Sequence, residues 1–161
     1  MGLALALAAS TSGCLYGFAG GGLPSHIHTV AILPFDNQTA EAALTLEVTS
    51  AVEDAMARRL GLRQASEPEA DAVVEGAIVR YEPDLLLSQQ PGALGNVSVT
   101  RRRVRLTVNV QIVDQREGRT LWQRSGLVVD GEYEPPAEAD GRKVALEKLV
   151  NDIVDGAQSQ W

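Results

Sequence analysis

The sequence predicts an α+β domain, a two-layer sandwich in which a four-stranded mixed sheet carries two helices on one face in the order β-α-β-β-β-α. Three observations lead there. Thr29 to Phe35 (TVAILPF) is a short apolar run of the kind that forms a strand buried on both faces. Residues 40–60 repeat apolar side chains at helical steps of three and four. From Arg101 to Val113 apolar and polar residues alternate strictly, which is the signature of a strand with one wet face.

Taken in order, the first strand closes at Pro34. Asn37, Gln38 and Thr39 then offer helix-capping side chains, with Glu41 expected in the first turn. Leu44, Val48, Ala51, Val52, Ala55, Met56 and Leu60 form the apolar stripe of the first helix, and Gly61 stops it. Ala72 to Tyr81 (AVVEGAIVRY) is the second strand. A strand-helix-strand order at this spacing implies a right-handed crossover between parallel strands. Glu82 to Val99 contains Pro83, Pro91, Gly92, Gly95 and Asn96, and is expected to be an irregular loop. In the next strand Val104, Leu106, Val108, Val110 and Ile112 point one way, and Arg103, Arg105, Thr107, Asn109 and Gln111 the other. Asp114 to Gly118 turns the chain into an antiparallel partner over 120–129, with Trp122 in the packing. Pro135-Pro136 opens a last helix with the stripe Ala145, Leu146, Leu149, Val150, Ile153, Val154 and Ala157, ending near Gly156. No internal repeat and no second domain is expected.

A chain of 161 residues, 45% apolar and 22% charged, is long and apolar enough to build a core. The formal charge is −7, yet seven of the 14 basic residues fall between positions 101 and 124 against two acids. An acidic body with one basic segment does not suit nucleic acid, which needs a broad phosphate-neutralising face. It does allow a local anion site. One cysteine, Cys14, excludes an internal disulfide framework and a cysteine-rich zinc site.

That cysteine follows LALALAA, a run far too short to span a bilayer and suited to the apolar core of a secretory signal. The small residues Ser12 and Gly13 before Cys14 resemble a bacterial lipobox, in which the thiol receives a diacylglyceryl group. The expected organisation is a lipoprotein-type signal peptide over 1–13, with its basic region expected upstream of Met1. A lipidated Cys14 and a glycine-rich tether follow over 14–25, and a single domain over 26–161.

No catalytic constellation can be assembled. His26 and His28 lie two apart and lack a third ligand nearby, so they read as surface or packing histidines and no metal is expected. Glu53-Asp54 reads as a solvated helix face. Gly20 to Gly22 precedes no Lys-Ser/Thr pair and is not a phosphate loop.

Several segments together resemble the LptE family of lipopolysaccharide-assembly lipoproteins. The matching residues are Cys14, Tyr16, Phe18, Leu23, Pro24, His26, Ile27, Thr29, Val30, Ala31 and Asn37. Farther on they are the strand from Asp71-Ala72 to Tyr81, Gly95-Asn96-Val97, and Gly118 to Trp122. The resemblance covers essentially all of the chain after Cys14. It implies an outer-membrane lipoprotein, lipid-anchored on the periplasmic side, with no catalytic cycle and no cofactor. Its implied partners are lipopolysaccharide and an LptD-like β-barrel, in which it acts as plug and accessory. A strand followed by Pro-Phe-x-Asn is also similar to CsgG-like and TolB N-terminal-like domains. The alternative is therefore another envelope lipoprotein, serving a secretion pore or a cell-wall synthase.

Two sites are expected on that basis. Arg101, Arg102, Arg103 and Arg105 form the one concentrated chemical signal: guanidinium groups stay charged and grip phosphate bidentately, which suits the phosphates of lipid A. The competing reading is a charged strand that resists edge-to-edge aggregation. The second site is a partner-binding loop at Leu94, Gly95, Asn96 and Val97.

Overall fold

The computed structural model describes residues 22–91 and 97–159. Cys14, the signal segment and most of the tether, together with Leu94, Gly95 and Asn96, lie outside the described residues. No helix among the described residues is long and apolar enough to cross a membrane.

The elements are β1 (Thr29–Ile32), β2 (Asp36–Asn37), α1 (Ala43–Leu60), β3 (Arg63–Gln64), β4 (Ala72–Pro91), β5 (Val97–Asp114), β6 (Arg119–Tyr133) and α2 (Glu138–Ser159), with a 3-10 turn at Glu67–Glu69. They form one mixed sheet in the order β3-β1-β4-β5-β6, with β2 paired to β4. The α+β class and the four principal strands agree with the sequence reading; β2 and β3 are two-residue additions. β1 pairs in parallel with β4, as the crossover requires, and β4-β5-β6 is antiparallel throughout.

The alternation in β5 does what it predicts. Val104, Leu106, Val108, Val110 and Ile112 are each no more than 4% exposed and face the helices. Leu44, Val48, Val52 and Met56 of α1 join Ala145, Leu149, Ile153 and Ala157 of α2 in the same cluster, so both helices cover one face. Each fully buried aliphatic side chain contributes roughly 1.5–3 kcal/mol relative to exposure. This layer therefore dominates stability.

Four local expectations change. Of the irregular loop expected at 82–99, residues 82–91 and 97–99 are instead paired strand, because β4 runs to Pro91 and β5 starts at Val97; residues 92–96 lie outside the described residues. Pro83 is accommodated by a bulge. Pairing passes from Glu82↔Arg105 to Leu85↔Arg103, so Pro83 need not donate to a ladder bond. Pro91 sits at the last pair, opposite Val97.

The capping residues near Asn37 build the loop before α1 rather than its first turn. Asn37 Oδ1 accepts from Thr39 N at 2.9 Å and Thr39 Oγ1 at 2.7 Å, while α1 starts behind Ala42 without a side-chain cap. Glu41 lies before the helix. At the other end Gly61 is left-handed with φ 68°, as a helix stop requires.

Gly156 does not end α2; it is buried inside it. A Cβ there would run into the indole of Trp122, so glycine is needed for the close approach of α2 to β6. Finally, the first strand is shorter than 29–35. Leu33 and Pro34 jog the chain to the edge of β4, and Phe35 turns back into the core at 1% exposure. Gly76 on β4 makes room for that ring, since a Cβ at Gly76 would overlap Phe35 and the Asn109 carbonyl.

Candidate functional site

β5 places Arg103 and Arg105 on the face away from the helices, and β6 sets Glu132 and Asp130 directly opposite them. Arg105 Nε and NH2 donate to the two Asp130 oxygens at 2.8 and 3.0 Å, a bidentate pair. Arg103 NH1 lies 3.2 Å from Asp130, and its NH2 3.7 Å from Glu132. Arg101 reaches Glu132 at 3.2 Å. The hydrogen bond from Arg105 holds the Asp130 carboxyl below its ordinary range, against the opposing effect of burial, and the same bond raises Arg105.

Arg102 occupies the helix-facing row opposite Tyr133 and is ion-paired to Asp84. Its head stays near water at the mouth of the sheet, with the side chain 30% exposed. Tyr133 Oη donates to the Pro83 carbonyl at 2.8 Å and lies 3.3 Å from Asp84, tying the bulge to β6.

Of the four arginines expected to hold phosphate, Arg101, Arg103 and Arg105 share one sheet face and Arg102 lies on the other, and each has a carboxylate partner. Arg102 Nε and Arg103 Nε are buried without a hydrogen-bond partner among the described residues. The acids that complete the row are Asp84, Asp130 and Glu132. The last two were readable in principle, since Asp130-Gly131-Glu132 has the spacing of one strand face; their register against Arg103 and Arg105 was not.

The same end of the sheet carries the outer part of the β4–β5 pair. β6 accompanies β5 only as far as Arg102↔Tyr133, whereas β4 and β5 stay paired to Pro91↔Val97. At about 3.4 Å per residue the two strands run roughly 17 Å beyond β6 as a bare ribbon. Leu86 is 51% and Leu87 37% exposed at its base. Val97 opens β5 on that ribbon, directly after the three expected loop residues that lie outside the described region.

A second polar cluster lies at the opposite end, where the chain comes in from its N-terminal segment. Asp71 Oδ2 accepts from His28 N at 2.9 Å, Thr29 N at 3.0 Å and Thr29 Oγ1 at 2.9 Å, while its other oxygen meets Arg116 at 2.7 Å. These bonds, led by the one from the His28 amide, pull its pKa down to about 2 even though burial opposes the shift. Fully buried Asp114 accepts from His26 Nε2 at 2.7 Å and from the amides of Arg116 and Glu117 at 2.9 and 3.1 Å.

His26, Asp114 and Glu117 bring ligand atoms within 4.8 Å of one another. Both Asp114 oxygens are already used, however, and Glu117 is paired to Arg119 at 2.6 Å. The arrangement is a clamp on residues 26–29. His26 contributes its ring to the clamp through Asp114, while exposed His28 contributes its backbone.

Comparison with known proteins now decides the family. The model of the LptE family, described as Lipopolysaccharide-assembly, matches residues 27–157. The chain belongs to the LptE family. Its work accordingly lies in lipopolysaccharide assembly. No curated protein matches it significantly.

Among solved structures, a PelC dodecamer from Paraburkholderia phytofirmans is similar at 15% identity and TM-score 0.54, covering 86% of this chain and 95% of that one. The hypothetical protein CT253 from Chlamydia trachomatis is similar at 14% identity and TM-score 0.54, covering 83% and 97%. A putative lipoprotein from Caulobacter crescentus CB15 is similar at 16% identity and TM-score 0.50, covering 80% and 87%. At these identities the likeness of the LptE-family chain to them is one of fold.

Proposed function

We propose that this protein is a lipid-anchored subunit of the lipopolysaccharide transport machinery, held at the periplasmic side of the outer membrane through Cys14. It acts there as plug and lipopolysaccharide-binding accessory of an LptD-like β-barrel. The observation that carries the reading is the family match across the folded domain, residues 27–157. The long bare ribbon of β4 and β5 supports the plug role. It is narrow and presents Leu86 and Leu87 to a partner, and in the sequence its two strands are joined by a segment that includes the expected contact residues Leu94, Gly95 and Asn96, with Val97 opening β5.

The protein works by binding rather than by catalysis. For lipid A phosphates to be held by Arg101, Arg102, Arg103 and Arg105, they must replace Glu132, Asp84 and Asp130 as acceptors. Arg101, with its side chain 58% exposed, is the most accessible of the four. Competition of this kind has a clear signature. Arg101→Gln should weaken lipopolysaccharide binding, and Glu132→Gln, which frees Arg101, should strengthen it. Equal affinity in both variants would confine the row to a structural role.

The partner is tested by photo-crosslinkers placed at Leu86 and Asn96, and at Ala57 and Glu147 on the outer helix faces, in membranes extracted with detergent. Capture of a large β-barrel from the first pair and not from the second is the expected result. Capture of a secretion-pore or cell-wall-synthase component instead would favour a different envelope lipoprotein on the same scaffold. Cys14→Ser should release a folded protein from the membrane fraction, and an unmodified thiol in soluble wild-type protein would refute the anchor.

A further inference from the structure

The sheet face opposite the helices carries a depression of about 430 Å3, within the roughly 300–1,000 Å3 usual for small-molecule sites. Two departures from strand regularity frame it. On one side Leu33 and Pro34 jog the chain from β1 to β2. On the other, β6 bulges between Arg124 and Leu127, where Gly126 takes φ 65° and donates its N–H to Asn109 Oδ1 at 2.7 Å. Bulges of this kind re-aim side chains beside binding sites. Ala77 keeps the floor low between the two walls, with Gly76 beside it contributing backbone.

The chemistry of the lining is specific. It holds two carboxylates, Asp36 and Glu75, three side-chain amides, Asn109, Gln111 and Gln123, and the Ser125 hydroxyl, but no lysine or arginine. Gln111 Nε2 donates to Glu75 Oε1 at 2.5 Å, which fixes both side chains and leaves Gln111 Oε1 for another donor. Asn109, bound through its oxygen to Gly126, keeps its Nδ2 for an acceptor.

Adjacent amide donors and acceptors match groups that both donate and accept, as sugar hydroxyls do. Leu33 and Pro34 supply an apolar wall for a ring face. Two acids without a base reject phosphate and favour a cation. The geometry points to a binding site for an amino-bearing saccharide, separate from the arginine row and independent of the lipopolysaccharide reading.

The test is calorimetric titration of the full chain with a β-1,4-linked glucosamine tetramer, its N-acetylated counterpart and inorganic phosphate. The amino tetramer should bind saturably and more tightly than the acetylated one, and phosphate should not bind in the depression. Ala77→Leu, which fills the floor on the solvent side, should weaken the amino tetramer at least ~10-fold. Gln123→Lys, on the exposed end strand, should weaken it by setting like charges together. Undiminished binding to both folded variants would show that the tetramer merely follows the net acidic surface, and would overturn the site. Absence of saturable binding, or equal binding of the acetylated tetramer, would overturn it as well.

Discussion

Replacing Asp71 by Asn tests whether the clamp at the start of β1 stabilises the fold. Asp71 is 7% exposed and gathers three hydrogen bonds on one oxygen. Its folded pKa of about 2 lies below its ordinary 3.8, and at 1.36 kcal/mol per pKa unit that difference amounts to about 2 kcal/mol. The folded pKa is depressed, so this stability is fully present above about pH 4 and is lost as pH falls through about 2. The asparagine retains one acceptor oxygen but no charge. It should cost about 2 kcal/mol at pH 7, and the cost should shrink as wild-type Asp71 becomes protonated.

Urea unfolding at a series of pH values, with the m-value checked for constancy, measures the difference directly. A difference between wild type and variant that stays the same from pH 7 to pH 2 would refute the electrostatic argument. Arg116, whose side chain is 62% exposed and whose influence on Asp71 ranks last, should matter much less.

Two further substitutions probe the packing between layers. Gly156→Ala should destabilise by about 1–3 kcal/mol, because the methyl group meets the Trp122 indole; thermal unfolding followed by tryptophan fluorescence measures it. Tyr133→Phe removes the bond to the Pro83 carbonyl and should cost about 1 kcal/mol, with faster proteolysis at the bulge and unchanged cleavage elsewhere.

Periodicity by itself determined much of this protein. The helical stripe from Leu44 to Leu60 and the alternation of β5 each encode which face is buried, and a helix or half-buried strand has one natural solution to that pattern. The parallel placement of β1 beside β4 followed from chain connectivity. The LptE resemblance rested on an ordered series of short matches that local sequence can carry.

The tertiary structure decided what depends on partners distant in the chain. Breakers in 82–99 signal a loop locally, yet pairing with the arginine strand and a bulge at Pro83 keep residues 82–91 extended. Gly156 looks like a stop until Trp122 is seen against it. Above all, the charge of the arginine row was legible, whereas its neutralisation was not. Asp84, Asp130 and Glu132 lie 18 to 31 positions from the arginines they meet. Only the register of β4, β5 and β6 brings those opposite charges within hydrogen-bond reach.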